Sequence, residues 1–500
     1  MGREMTAGTV LQNYIGGRWV DAENRGALDV FNPSTGAVLC QVPLSTRQET
    51  DRAIAAAAEA FKTWRKTPVA RRAQPLFKLV QLLREDESKI ARVLVAENGK
   101  SFTDAVTELK RTFENIEVAC GMPVLQQGDK LIGGSFDIDG EVIRLPLGVF
   151  GMIAPCNFPA MVPFWFIPYA IAAGNTFVLK PSEQVPMTMQ LIAGYMERAG
   201  LPPGVFNIVN GDAEVAHALM ENPLVKGVSL VGSTKTCRVV AEKCAAANKR
   251  FQAMGGAKNH LVVMPDAKIL DVIRNMTTSC FGCAGQRCMA SSAIIAVGDA
   301  MYKEVVERFV RDSKETVVAN PLDPRFENEG MLMGPVISAA AKAKILALIE
   351  DGIREGATLA LDGRHVKPLG EGVEKGYFIG PTVFTDVQPG MTIHKTEIFG
   401  PVVCILKADT LDDAIRIINE HEYGNGASIY TQNGYWARKF KLEVEAGMIG
   451  VNVGIPAPVA YLPFGGMKNS QWADIKAQGK AVVNFYTTDK IVSERYFPDA

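Results

Sequence analysis

The chain has 500 residues, 47% of them apolar and 21% charged, with 53 Lys and Arg against 54 Asp and Glu. That length exceeds what one hydrophobic core serves, so two or three domains are expected. A net charge of -1 on so apolar a chain excludes a disordered protein, a coiled coil and a basic nucleic-acid surface.

The opening MGREMTAGTV carries charges at Arg3 and Glu4 and leads into no apolar run, so no secretory signal is read there and a cytoplasmic protein is expected. Nine cysteines without a regular framework fit reduced thiols, used for chemistry or core filling rather than stapling. GSFDIDGEVIRLPLG (134–148) alternates like a β-hairpin with no helix beside it. A lone hairpin is marginal in water, so it is expected to pair outside its own domain, with another subunit as one choice.

Residues 145–179 carry no formal charge, a stretch longer than the roughly 20 residues a membrane span needs. Pro155, Pro159, Pro163 and Pro168 interrupt it, which argues for a buried βαβ unit: strand GVFGMIAP, a helix with Pro in its first turns, Gly174, strand NTFVLK. The alternation continues through GVFNIVNG, helix AEVAHALMEN, VKGVSLVGS, helix TKTCRVVAEKCAAAN and the strand-like FQAMGG and HLVVMP. From about Asp266 to Pro456 a second series runs through AIIAVG, helix MYKEVVERFVRDSKETV, YFIGPTVFTDV, VVCILKA, helix DDAIRIIN and GASIYT. The fold class is therefore α/β: two parallel-sheet α/β domains plus a β-hairpin arm.

Standard dinucleotide fingerprints are absent, and Gly99-Lys100-Ser101 is no P-loop because Leu94 stands where the first glycine is required. Val231-Gly232-Ser233-Thr234 ends a strand and opens a helix, where free N–H groups and the helix dipole can hold a pyrophosphate; an ordinary N-cap would read the same. Lys180 and Glu183 end another strand of the series, at the edge where open α/β sheets bind ligands, with a solvated charge pair as the plain alternative. Cys280, Cys283 and Cys288 lack a nearby fourth ligand, so no metal site is expected. The first two fall on a helix end and are expected in the core. Cys288 follows a flexible turn beside Arg287, so its thiol is expected to be exposed, with a pKa lowered by the cation, as suits a nucleophile toward a carbonyl.

APCNFP (154–159), NTFVLKPSEQVP (175–186), VGST (231–234), MGGAKNH (254–260), GQRC (285–288), EIFGPV (397–402) and PFGGMKNS (463–470) resemble, in order and over nearly the whole chain, the NAD-dependent aldehyde dehydrogenase superfamily. PCNFPAMVPFW, GGAKNH, GQRCMA and AQGK…NFYT look most like its CoA-acylating methylmalonate-semialdehyde branch. The resemblance implies that Cys288 adds to the aldehyde, that Asn157 and the Cys288 N–H form the oxyanion hole, and that Lys180 and Glu183 hold the adenosine ribose of NAD. It gives Ser233 the pyrophosphate, Glu397 and Phe399 the nicotinamide ribose and ring, and Ala154, Cys156, Gln184 and Gly255 the walls of the cofactor cleft. It divides the chain into an NAD-binding domain (1–124 and 146–256), a catalytic domain (257–455), and an oligomerisation arm with the C-terminal segment (125–145 and 456–500). A homo-oligomer is implied, a tetramer ahead of a dimer.

One departure bears on mechanism. Hydrolytic members place a general-base Glu where this chain has Met254, and a second carboxylate where it has Ile475; a thioether takes no proton from water. Slow hydrolysis then leaves a thiol, coenzyme A, as the acyl acceptor. Arg111 and Arg287 are expected to hold a substrate carboxylate, which fits malonate or methylmalonate semialdehyde oxidised to acetyl-CoA or propionyl-CoA with loss of that carboxylate. Glu183 favours NAD over NADP, since its charge repels a 2′-phosphate. A hydrolytic dehydrogenase that releases free acid, and a catalytically silent relative, remain the alternatives.

Overall fold

The computed structural model describes residues 5–23, 26–327, 329–454, 456 and 458–498. Arg3 and Glu4 lie outside the described residues. Two sheets organise the chain. The first has eight strands in the order Arg18–Val20, Asn13–Ile15, Phe206–Ile208, Thr176–Lys180, Val149–Ile153, Val225–Val231, Arg250–Met254 and Gln471–Trp472. Its centre is parallel, each strand returning through a helix. Its edges are antiparallel, which the sequence reading of a purely parallel sheet does not contain. For the first two strands the reason is local: Gly16 and Gly17, both at positive φ, close a tight turn between them, and so short a link permits only antiparallel pairing.

The charge-free stretch folds inside this domain. Val149–Ile153 leads into two short helices, Met161–Phe164 and Ile167–Ala172, rather than one, because prolines restart the backbone at Pro163 and Pro168. Gly174 then turns at φ +102°, where a Cβ would stand 2.7 Å from the Arg72 guanidinium, and Thr176–Lys180 follows. Phe164, Trp165, Phe166 and Tyr169 are fully buried in the core of this domain. Among the described residues no helix is long and apolar enough to cross a membrane.

The second sheet runs Thr358–Leu361, Thr382–Thr385, Val402–Ala408, Ser291–Val297, Asn259–Val263, Gly426–Tyr430 and Met448–Val451, parallel except at its first strand. Helices Ala339–Arg354 and Gly434–Glu443, which the sequence reading leaves unassigned, belong to this half. Lys130–Ser135 and Ile138–Pro146 form the expected hairpin. Its partner is the C-terminal strand Thr487–Glu494 of the same chain, in register from Thr487 opposite Pro146 to Glu494 opposite Asp139. Leu131, Ile132, Phe136 and Ile491 are exposed on this three-stranded arm.

Candidate active site

Helix Ile269–Phe281 ends ahead of a turn in which Cys283, Ala284 and Gly285 all adopt positive φ. Gly285 is required there, since a Cβ would stand 2.3 Å from the Gly400 carbonyl. Cys280 is buried at the helix end, as expected. Cys283 is not at helical spacing with it: the left-handed turn carries its thiol to 3.3 Å from Arg287 Nε, which donates to it, and 3.5 Å from Asp104 Oδ2. It therefore lines a pocket rather than only filling core.

Cys288 follows this turn, half-buried, and its carbonyl accepts from the side-chain amides of Asn259 and Asn425, each at 2.8 Å. These two asparagines, at the starts of neighbouring strands of the second sheet, hold the cysteine's peptide from behind. Sequence reasoning did not single them out; two polar residues opening otherwise apolar strands were the available signal. Asn157 lies on the loop after Val149–Ile153, and its Nδ2 donates to the Gln286 carbonyl at 3.1 Å, two residues from Cys288. The expected donor, on a loop of the first sheet, thus reaches the turn that carries the thiol.

The thiol opens on a pocket of about 500 Å³ lined by Asp104, Glu108, Arg111, Phe158, Cys283, Arg287 and Cys288 among others; Asn157, next to Phe158, is not itself one of the lining residues. Both expected arginines are present, and each is already paired. Arg287 Nη2 lies 2.5 Å from Asp104 Oδ1, and Arg111 Nη1 lies 2.7 Å from Glu114 Oε2. Burial alone would raise the Asp104 carboxyl, but the charges of Arg287 and Lys100 hold it below its usual range. The thiol of Cys288 corrects the expectation of a cation-lowered pKa. Burial and then the Glu397 carboxylate push it up to about 12, against weaker lowering by backbone N–H groups and Arg287. The Arg287 cation still lowers the thiol but is outweighed by burial and Glu397.

A second cleft, of about 490 Å³, lies at the C-terminal edge of the first sheet and is lined by Ala154, Cys156, Lys180, Glu183, Gly232, Lys235 and Thr236 among others. Lys180 Nζ meets Glu183 Oε2 at 2.8 Å, with Lys180 buried and Glu183 partly open to solvent. Burial would raise Glu183, yet Lys180 holds it below the usual carboxylate range. Gln184 is half-buried in the adjoining turn. Helix Thr234–Ala246 points its N-terminus at this edge, capped by Ser233, whose Oγ accepts from Thr236 N at 3.3 Å. The N-cap role is thus the one Ser233 performs in this structure.

The chain also brings Glu397 against the second of two glycines. Its Oε1 accepts from Ala257 N at 2.9 Å, and a Cβ on Gly256 would stand 2.9 Å from Oε2. Gly255 donates to the Ser470 carbonyl at 3.0 Å. Phe399 turns the same loop at φ +56°. Burial pushes the Glu397 carboxyl up. Met254, just before these glycines, is 3% exposed and packs in the core of the first domain, with Cys288 and Ile475 against that core. Asp104 and Glu108, the carboxylates lining the thiol's pocket, are both occupied: Asp104 by Arg287, and Glu108 by Lys100 and the N–H groups of Ala160 and Met161. Among the described residues no group of three or more His, Cys, Asp or Glu side chains is placed to hold a metal ion.

Two parallel-centred sheets and a thiol-bearing turn beside a pocket define an α/β protein with a candidate nucleophile. The profile of the Aldehyde dehydrogenase family matches residues 19–492, and the chain belongs to that family. It is 48% identical to malonate-semialdehyde dehydrogenase 1 of Geobacillus thermodenitrificans (strain NG80-2), over 98% of this chain and 100% of that one. The structure of a methylmalonate-semialdehyde dehydrogenase from Oceanimonas doudoroffii superposes with a TM-score of 0.95 at 41% identity, covering 98% and 99% of the two chains. A Sinorhizobium meliloti 1021 protein assigned to the same activity and complexed with NAD also gives 0.95, at 38% identity and 99% coverage of both.

Proposed function

We propose that this protein oxidises malonate semialdehyde or methylmalonate semialdehyde with NAD and transfers the acyl group to coenzyme A, giving acetyl-CoA or propionyl-CoA with loss of the substrate carboxylate. The observation that carries the acyl-transfer reading is Met254, an apolar side chain where hydrolytic relatives hold a base, with Ile475 equally apolar. The names of the relatives support the substrate class.

In this reading the Cys288 thiolate adds to the aldehyde carbon to form a thiohemiacetal, and the oxyanion is met by Asn157 Nδ2 and the Cys288 N–H. Arg111 and Arg287 orient the substrate carboxylate through guanidinium nitrogens not used by Glu114 and Asp104. NAD, when bound, accepts the hydride, which leaves a thioester on Cys288. The 490 Å³ cleft at a strand edge and helix N-terminus would hold such a dinucleotide, with Lys180 and Glu183 at its ribose, Gly232 at the pyrophosphate and Ala154 and Cys156 on its walls; Ser233, Gln184 and Gly255, which do not line the cleft, are given their parts by the family resemblance alone. Glu397 and Phe399 serve the nicotinamide end. The malonyl or methylmalonyl group on Cys288 would then lose its carboxylate as carbon dioxide, a proton taking its place on the α-carbon, and the coenzyme A thiol would take the resulting acetyl or propionyl group, returning the Cys288 thiol.

A homo-oligomer built through the arm is part of the proposal, supported by its exposed Leu131, Ile132 and Phe136 and its open strand edges. Cytoplasmic residence is supported by nine free cysteines.

One observation favours a second reading. Glu397 acts electrostatically on Cys288, and burial pushes its own carboxyl up, so that it takes a proton more readily than an exposed carboxylate. Were it to activate water, the product would be free acid. The test is product analysis: NADH formation with malonate semialdehyde, methylmalonate semialdehyde and propanal, followed by chromatography of acids and acyl-CoA with and without coenzyme A. Acyl-CoA from the two semialdehydes supports the proposal; free acid formed as fast without coenzyme A refutes it.

A further inference from the structure

Helix Glu87–Asn98 stops at Gly99, which adopts φ +83° and has Pro33 and Pro335 each 2.8 Å from where a Cβ would lie, so only glycine fits. Helix Phe102–Cys120 starts three residues later, capped by Ser101, whose Oγ accepts from Asp104 N. The short link turns Lys100 into the protein. Lys100 and Glu108, two helical turns beyond the cap, form an ion pair at 2.5 Å with both side chains wholly shielded from solvent.

Removing both charges from water is costly, and an apolar pair of equal volume would join these helices at least as well. What an apolar pair lacks is directed hydrogen bonds, and here they converge on one segment. Lys100 Nζ donates to the Asn157 carbonyl at 2.7 Å and sits 4.0 Å from the centre of the Phe158 ring. Glu108 Oε1 accepts from Ala160 N at 2.8 Å and Met161 N at 3.1 Å. Asn98 Nδ2 adds a bond to the Cys156 carbonyl at 2.8 Å. The loop that presents Asn157 is thereby fixed on both sides of that residue by the junction of two helices.

We infer that Lys100 and Glu108 are positioning residues: the buried pair sets where Asn157 Nδ2 stands relative to Cys288. The inference rests on reading Asn157 as the oxyanion donor. A donor must meet the oxygen at its transition-state position, and a displacement of about 1 Å can cost about a hundredfold in rate.

The experiment compares full-length wild type, Asn157→Ala, Lys100→Met/Glu108→Gln and the triple variant. The double variant removes both charges together and keeps an amide oxygen for Ala160 and Met161. Each is assayed for the NADH burst with propanal, the half-saturating propanal concentration, iodoacetamide alkylation at Cys288 and thermal unfolding. Asn157→Ala should slow the burst. The double variant should slow it about tenfold or more, with half-saturation and alkylation unchanged, and the triple should be no slower than Asn157→Ala alone. A wild-type burst in the double variant overturns the inference. So does a triple variant slower than Asn157→Ala by the double variant's full factor. If Asn157→Ala leaves the burst unchanged, the oxyanion reading itself fails and the inference with it. Should the double variant not fold, Glu108→Gln alone must show the same burst-only defect in smaller degree; a wild-type burst in it overturns the inference.

Discussion

Arg287 gives Nη2 to Asp104 at 2.5 Å and Nε to the Cys283 thiol at 3.3 Å, while its Nη1 makes no hydrogen bond among the described residues. The guanidinium is thus oriented before any ligand arrives, with one donor in reserve. Arg111, tied through Nη1 to Glu114, likewise keeps Nη2 unused among the described residues. Hydrogen bonds to charged groups contribute about 1.5–3 kcal/mol each. Replacing either arginine by alanine should therefore lower kcat/KM for malonate semialdehyde by about 10- to 100-fold. Propanal, which has no carboxylate, should lose far less. Parallel losses with both aldehydes would assign the arginines to structure rather than to substrate.

Asn157→Ala removes the side-chain donor and leaves the Cys288 N–H. Loss of one such donor typically costs about 10²–10³ in rate. The expected result is a fall of that order in the NADH burst with KM little altered, read by stopped-flow absorbance.

The Cys288 thiol, held up by burial and by Glu397, should react slowly with iodoacetamide at pH 7 in the cofactor-free enzyme. Its alkylation rate should still be climbing at pH 9. Glu397→Gln deletes the second-largest cause and should speed the reaction at pH 8, followed by mass spectrometry of the Cys288 peptide. A plateau below pH 8 in wild type would contradict this account.

Three of the chain's five histidines, His260, His394 and His421, pack with ring centres 5.1 to 5.4 Å apart beneath the loop that carries Glu397. Lys258 is beside them, donating to the carbonyls of Ile393 and Thr396, while Lys395, Lys468 and Glu422 are the other charges acting on the cluster. Burial, then these cations and the neighbouring rings, lower all three; His394 falls from 6.5 to about 3. The unfolded chain therefore binds more protons than the folded one below pH 6.5. Stability from this cluster is complete above that pH and is lost as pH falls toward 3. Urea midpoints at pH 7.5, 6 and 5 should drop in that order, and His394→Gln should flatten the slope.

Much of this was legible in the sequence because the parallel strands are near-continuous apolar runs and several of the helices between them open on a Ser, Thr or Asp cap. Ser233, Thr410 and Asp212 each cap as their residue type suggests. The antiparallel edges were not legible: Asn13–Ile15 and Gln471–Trp472 are two or three residues long, and only tertiary pairing makes them strands. At the site, the ordered motifs placed Cys288, Asn157 and Glu397 near one another, and the structure brings their segments together. The state of the thiol was not legible because adjacency in sequence to Arg287 says nothing of burial or of Glu397, which outweigh that cation once the chain is folded. Lys100 was set aside with a failed P-loop pattern, since its contacts with Asn157 and Glu108 exist only after folding.

The central claim is that an acyl group on Cys288 meets sulfur rather than activated water. Enzyme acylated in a single turnover with NAD and malonate semialdehyde, then freed of nucleotide by rapid gel filtration, can be mixed with buffer or with coenzyme A at pH 7. Loss of the thioester is followed by intact-protein mass spectrometry. The account predicts a long-lived acyl enzyme in buffer and rapid discharge by coenzyme A, with acyl-CoA recovered. Equal rates of loss in the two mixtures, with free acid as the product of both, would contradict it.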